Sequence, residues 1–384
     1  MLALISSLQA AVPPSAQAES WGWMRRYNAA PGSIDEGFGV AAAADGSVYV
    51  TGETFVGEGQ ADLVLRKYSA NGTLLWADVY DGPDGLWDTG RSVAVAADGC
   101  VYVAGYSSVP GQDVDVLLRK YSAAGEALWT RTYNDPENRG DQGEAVAVGR
   151  DGSVYVAGTT SVGGLGALLL LKYSPSGTLL WSRTYRRTVN FVSSSTFGTA
   201  VTVDKFGAVY VAGYTGTSPG YLLLRKYSPA GTPLWTRALN SAAKWGDSGF
   251  GVAAGPDGIC VTGKTCTEHG GIDMLLVKYS LSGGFLWLRT YDGPANRQDG
   301  GRGVAVREDG SVYVAGSVIA PRGYQDLLLR KYSPDGTALW TKMYDGGFGD
   351  EGIGVAVGPD GSVHVVGTTW AGAGAYDLLL VKYK

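Results

Sequence analysis

Histidine and cysteine are almost missing from this chain, with two and three in 384 residues. So few histidines exclude histidine-rich metal centres and leave little for a Ser-His-Asp triad. Three cysteines, an odd and scattered set, are no disulfide framework. An excess of basic charge is also lacking: the net charge is −5 and the pI about 5.2. Nucleic acid and anionic membrane surfaces, which need a basic face, are therefore excluded as partners. No run of about 18 apolar residues occurs, so no segment is expected to span a membrane. Helical periodicity is absent at any length. No nucleophile elbow, phosphate loop or dinucleotide fingerprint falls in the right context.

What the chain does have is glycine, 59 residues, and one sentence written seven times. It runs G-x-x-V-A-V-x-x-D-G-S-V-Y-V-A-G, a variable loop, then D-L-L-L-R-K-Y-S-x-x-G-T-x-L-W-x-R-T-Y. Its tryptophan falls at Trp23, Trp76, Trp129, Trp181, Trp235, Trp287 and Trp340, 52 to 54 residues apart. The two ends are out of phase with the repeat. The first copy starts at the tryptophan segment, and the last stops at D-L-L-L-V-K-Y-K, before that segment would come.

Each copy holds four short runs of valine, leucine, tyrosine and tryptophan, separated by D-G and S-G turn signals. Four antiparallel strands in ~53 residues describe a propeller blade, longer than the ~40–45 of WD repeats and close to the ~50 of kelch repeats. A single four-stranded sheet with two apolar faces cannot bury both alone, and stacking blades around an axis does so. The expected fold is all-β: one seven-bladed β-propeller, with the N-terminal strand completing the last blade. Its blades are read as 37–80, 90–133, 143–185, 198–239, 249–291, 301–344, and 352–384 with 21–28. Such closure removes the open edge through which sheets aggregate, so a monomer is expected.

The repeated segments D-x-G-x-x-V-A-V-x-x-D-G-S-V-Y-V-A-G-x-T and L-L-x-K-Y-S-x-x-G-T-x-L-W resemble the seven-bladed β-propeller repeat, SBBP, over residues 21 to 384. The resemblance implies a fold and an address, a bacterial secreted or surface protein, and no reaction. Residues 1–20 fit that address. They are weakly apolar and carry an A-x-A site at Ala16-Gln17-Ala18, although the basic start of a signal peptide is missing. They are read as a leader, with secretion to the extracellular space, the cell surface or the periplasm.

Repeated residues are expected to serve the blade. The seven tryptophans should pack between blades. The lysines Lys67, Lys120, Lys172, Lys226, Lys278, Lys331 and Lys382 should lay their stems on that surface with the ammonium in water. Cys260 takes a slot that is tyrosine in most copies and reads as core, with Cys266 placed to approach it. His364 takes the same slot in the last copy and should be buried, while His269 lies alone in a loop.

Before each first strand stands an aspartate: Asp35, Asp88, Asp141, Asp247, Asp299 and Asp350. These are expected to ring one mouth of the channel. They are read as acceptors for backbone N–H groups, with a Ca²⁺ or a cationic ligand at the ring as the sharper reading. No other cofactor is expected. The ring is broken at Thr196, behind a long loop that carries Arg186, Arg187 and Phe191. Three tryptophans fall outside the repeat, Trp87, Trp245 and Trp370, all in loops expected on one face of the ring. Exposed aromatics beside carboxylates suit sugar rings or a protein partner. The reading is a non-enzymatic binding scaffold with a glycan or protein ligand on the long-loop face. The alternatives are a carboxylate-dependent glycan-active enzyme at the channel mouth and a purely structural surface repeat protein.

Overall fold

The computed structural model describes residues 21–55, 60–83, 85–110, 113–189, 192–241, 246–266, 271–372 and 374–384. They form seven four-stranded antiparallel sheets and one two-stranded hairpin, with no helix among the described residues. The first blade is β2 (Asp35–Ala42), β3 (Val48–Phe55), β4 (Ala61–Tyr68) and β5 (Leu74–Tyr80), in sequence order. Five more follow in the same order: β6 to β9, β10 to β13, β16 to β19, β20 to β23 and β24 to β27. They begin at Asp88, Gln142, Thr196, Asp247 and Gly300. The hairpin β14 (Thr188–Val189) and β15 (Val192–Ser193) lies in the loop before β16.

The seventh sheet joins the two ends of the chain. Its order is β28 (Asp350–Val357), β29 (Val363–Gly372), β30 (Ala375–Tyr383) and then β1 (Trp21–Tyr27). The β1–β30 ladder runs from Tyr27 opposite Leu378 to Trp21 opposite Tyr383. The phase offset of the repeat is thus the closure of the ring, and it leaves no open blade.

Both faces of each sheet are buried because neighbouring blades interleave. Tyr49, Leu63 and Leu65 of the first blade share a cluster with Val101, Val103, Leu117 and Tyr121 of the second, and Trp76 packs against it. Burying each such aliphatic side chain stabilises by roughly 1.5–3 kcal/mol, so every inter-blade seam is a small core. The repeated tryptophan also ties seams by hydrogen bonding. Trp76 Nε1 donates to Ala123 O of the next blade at 3.3 Å. Arg25, two residues after Trp23, donates from Nε to Gly72 O at 2.6 Å. Gly72 has φ 83°, and a Cβ there would meet the Trp23 ring at 2.8 Å. The turn therefore requires glycine on both counts.

The lysine ammoniums depart from expectation. Lys278 is 1% exposed, and its Nζ donates to Pro334 O of the next blade at 3.0 Å. Lys67 reaches Ala123 O, Lys120 Pro175 O and Lys382 Ala70 O in the same way. These carbonyls sit in turns, and those of Ala70, Ala123 and Pro334 accept the tryptophan N–H as well. The lysine adds a second donor across the seam, so its head is spent on the frame and not offered to solvent. Cys260 is fully buried in a seam between blades, as its place in the repeat leads one to expect. Cys260 and Cys266 lie on one strand, β21 (Ile259–Cys266), and both are free thiols. Six residues of extended chain separate them by about 20 Å, so the strand itself keeps them apart. His364 is buried at 1% exposure, and burial, with Lys382 nearby, lowers its pKa to about 4.

Candidate functional site

The loops joining second to third strands meet the loops joining one blade to the next. Ser108 N donates to Trp87 O, Phe55 N to Ile34 O and Trp370 N to Gly349 O. Both loop types therefore lie on one face, which carries two cavities described below.

The six aspartates sit at the root of this face, buried to between 0 and 2% exposure. Each accepts the backbone N–H of the incoming loop. Asp88 takes Gly82 N at 2.6 Å, Asp141 takes Asp135 N at 2.6 Å, and Asp247 takes Ser241 N at 2.6 Å. Asp35 takes Ala29 N, Asp350 takes Gly346 N, and Asp299 takes Gly293 N. In the fourth blade Thr196 Oγ1 accepts Arg187 N at 3.0 Å, so a hydroxyl fills the carboxylate's place. Burial pushes the carboxyls of Asp88, Asp141 and Asp299 above their usual range. Asp350 has carboxylate neighbours, Asp326 and Asp345, with oxygens within 4.8 Å of one another. Between two of them lies a guanidinium: Arg322 pairs with Asp326 at 2.5 Å and also with Asp345.

None of these aspartates lines the channel; the residues three places further along do. In the β2–β3 ladder Gly37 pairs with Gly52 and Gly39 with Thr51, leaving Phe38 as an extra, unpaired residue. This is a β-bulge, a device that re-aims one side chain. The backbones approach so closely there that a Cβ on Gly52 would lie 1.8 Å from Glu36 O. The same break recurs in the other six inner ladders and frees Arg91, Glu144, Thr199, Phe250, Arg302 and Ile353. All seven bulged residues line a cavity of about 490 Å³ on the ring's axis. Its floor is apolar, made by Val40, Val146, Val201, Val252, Val304 and Val355.

The rim is charged and organised in two similar groups. Arg91 pairs with Glu144 at 3.1 Å and lies 4.3 Å from the Phe38 ring centre. Arg302 pairs with Glu351 at 2.8 Å and lies 5.0 Å from the Phe250 ring centre. Each arginine thus has one carboxylate and one aromatic face. Outside these groups, Glu36 stands opposite Glu53 in the β2–β3 ladder. Burial, with Glu53 alongside and within hydrogen-bonding reach, raises the Glu36 pKa to about 7. Glu53 in turn accepts Thr89 Oγ1 at 2.7 Å and Trp87 Nε1 at 3.4 Å. At the other end of the axis, Arg150, Lys205 and Arg307 border a smaller cavity of about 330 Å³.

Of the residues singled out in the sequence, Trp87 reaches the channel rim. It is 44% exposed, edge-on to Phe55, with its indole N–H on Glu53. Trp370 lies elsewhere on the same face. It packs edge-on to Tyr376, and Tyr324 packs edge-on to Phe348, with ring centres 5.1 Å and 5.0 Å apart. The four rings surround a second cavity of about 380 Å³. Arg186 donates to Val162 O at 2.9 Å, and Arg187 lies 3.9 Å over Tyr221, so both brace their loop. Trp245, Phe191 and His269 lie outside the described residues. The channel-lining residues were missed in the sequence, although a signal was present. They are the variable places in an otherwise constant D-x-G-x segment.

Comparison with known proteins adds little beyond the fold. Residues 43–74 and 149–179 match the family described as a domain of unknown function (DUF5122) beta-propeller, which supports a propeller repeat family. Over 143 residues the chain is 32% identical to the "Regulatory protein FlaEY" of Caulobacter vibrioides. That stretch is 34% of this chain and 14% of the length of that protein. Among solved structures, Drosophila Plexin A in complex with Semaphorin 1b superposes with a TM-score of 0.53 at 11% identity, over 95% of this chain and 87% of that one, a likeness of fold alone. A gluconolactonase from Xanthomonas campestris gives a TM-score of 0.41 at 13% identity, over 91% and 87% of the two chains.

Proposed function

We propose that the chain is a secreted, non-enzymatic binding scaffold whose ligand is a glycan held on the long-loop face. The observation that carries this is the cleft of Tyr324, Phe348, Trp370 and Tyr376. Two of its walls, Tyr324 and Phe348, are 43% and 62% exposed, which is unusual for rings that touch each other. Sugar rings present C–H faces that stack on aromatics and hydroxyls that need polar partners. Polar groups stand beside the cleft in sequence and space: Asp326 two residues from Tyr324, Asp345 three from Phe348, and Arg322 joined to both aspartates. A glycan array with the intact protein tests it. Binding should be lost, by at least about tenfold in affinity, in Trp370→Ala, whose loss of one stacking face removes over 1 kcal/mol. Absence of binding to any glycan, in a protein that unfolds normally, overturns the reading.

The secreted address and assignment to the SBBP repeat are part of the same proposal, supported by the repeat segments and the A-x-A site. A protein ligand is the second occupant for this face. The relative named as a regulatory protein lends it some support, over 14% of that protein's length. A glycan-cleaving enzyme at the channel mouth finds less support. Glycosidases hold their two carboxyls about 5 Å or more apart. The ring aspartates on which that reading rests, Asp88 and Asp299 among them, are each bonded to the backbone of their own loop, and Glu36 and Glu53 at the mouth stand within hydrogen-bonding reach of each other. Release of reducing ends from any bound glycan, abolished by Glu36→Gln, would restore the enzyme reading.

A further inference from the structure

The axial cavity is independent of the aromatic cleft and calls for a different ligand. Its seven bulged residues are of five types, while the frame around them is repeated almost unchanged. A channel serving only to close the ring has no need of Phe, Arg, Glu, Thr, Phe, Arg and Ile in those places. The charges around the rim are unevenly partnered. Arg91 is matched by Glu144, and Arg302 by Glu351. Lys264 sits over Phe250, at 5.6 Å. Glu36 and Glu53 remain on the first blade as two carboxyls side by side, with neutral donors only, Thr89 and Trp87, bonded to Glu53. Phe38 lies two residues from Glu36 and lines the same cavity, and Val40 lies below it in the floor.

We propose that the channel mouth is a binding site for a small organic cation, a protonated amine carrying an apolar body. The ammonium would meet the Glu36 carboxyl, and the apolar body would fill the valine-floored well beside the edge of the Phe38 ring. Both parts have a physical reason. An ammonium gains a charge-assisted hydrogen bond from the carboxylate, and the Phe38 ring, which Arg91 already faces, offers apolar wall. A cavity of about 490 Å³ with an apolar floor suits a small molecule and no polymer. A bare metal ion is a poorer fit, since hard cations need several oxygens and this corner offers phenylalanine and valine instead.

The free site would hold Glu36 as an acid around neutral pH, and the cation would draw its proton off. The charged groups that face Glu36 are Glu53 on β3, Arg91 on β6 and Glu351 on β28. The two glutamates and burial favour the protonated form, and Arg91 opposes them. Binding should therefore release protons below about pH 7 and tighten as pH rises from about 6 to about 8.

Isothermal titration with phenethylamine as the probe tests this, with 2-phenylethanol and 3-phenylpropionate as neutral and anionic controls. The amine should bind at least about tenfold more tightly than either control. Glu36→Gln should weaken it by about tenfold or more, and Trp370→Ala, in the other cavity, should leave it unchanged. Equal binding of the amine and the alcohol overturns the proposal. So does a Glu36→Gln protein that unfolds at the usual temperature and still binds the amine as before. The pH profile needs no variant: an affinity for the amine that stays flat between about pH 6 and 8 also overturns it.

Discussion

Two rings of side chains circle the axis, a few residues apart on the same strands, and they behave oppositely. The aspartate ring is nearly invariant from blade to blade, buried, and turned toward the backbone of its own incoming loop. The bulged ring differs at almost every blade and turns toward the axial cavity. Position relative to the centre is similar, so geometry alone does not separate structural from functional residues here. Repetition does. A task performed once per blade holds one residue type almost throughout, and a task performed once per molecule leaves the same place free to vary.

The comparison breaks most sharply at the bulge. Gly158→Ala would put a Cβ 1.8 Å from Gln142 O, against backbone that cannot give way. The loss should be on the order of 3 kcal/mol or more, with misplacement of Glu144, seen as a large drop in Tm. Next comes a pair of truncations, one from each ring. Asp141→Ala leaves Asp135 N–H buried without its acceptor and should cost about 1–3 kcal/mol. Arg302→Ala, on the cavity rim, should cost under about 1 kcal/mol, since its ion pair with Glu351 is partly exposed. Denaturant titrations measure both, and equal losses would erase the distinction between the rings.

A further effect concerns pH. The folded-state pKa of Glu36 is raised to about 7 from an ordinary 4.5. Its contribution to stability is therefore full below about pH 4.5 and is lost as pH rises through about 7. Thermal scans of wild type and Glu36→Gln across that window should diverge by on the order of 2 kcal/mol, with wild type losing ground at the higher pH. A constant offset would show that Glu36 titrates normally. The smallest effect is expected from Ca²⁺. Arg322 already bridges Asp326 and Asp345 beside Asp350, so added Ca²⁺ should move Tm by less than about 1 °C. A clear rise would mean that the ion displaces the guanidinium and would revive the cation reading of the aspartate ring.

Architecture was legible in the sequence because it is stated seven times. The tryptophan spacing, the D-G turns and the offset ends specify blade, count and closure without reference to tertiary contacts. The aspartates were equally visible, but a repeated carboxylate says only that each blade needs one. The cavity was hidden by the bulge. Phe38 and Arg91 are extra residues with no cross-strand partner, and simple alternation along a strand makes no place for such a residue. The lysine heads were misjudged for a related reason: their acceptors belong to the next blade, some 55 residues away. Trp87 was selected as a loop aromatic, and its bond to Glu53 links it to the rim, a pairing across 34 residues that no local pattern reveals.

The joint between β1 and β30 also has a mechanical meaning. The two strands run antiparallel with Trp21 opposite Tyr383, so both described ends of the chain leave from the same end of one ladder. Tension applied through them would load a single rung at a time, as in opening a zip, and never the whole ladder in shear. The ring would thus yield to a gentle pull at this one ladder inside the seventh blade, whereas every other pair of neighbouring strands in the seven blades is joined by the chain itself.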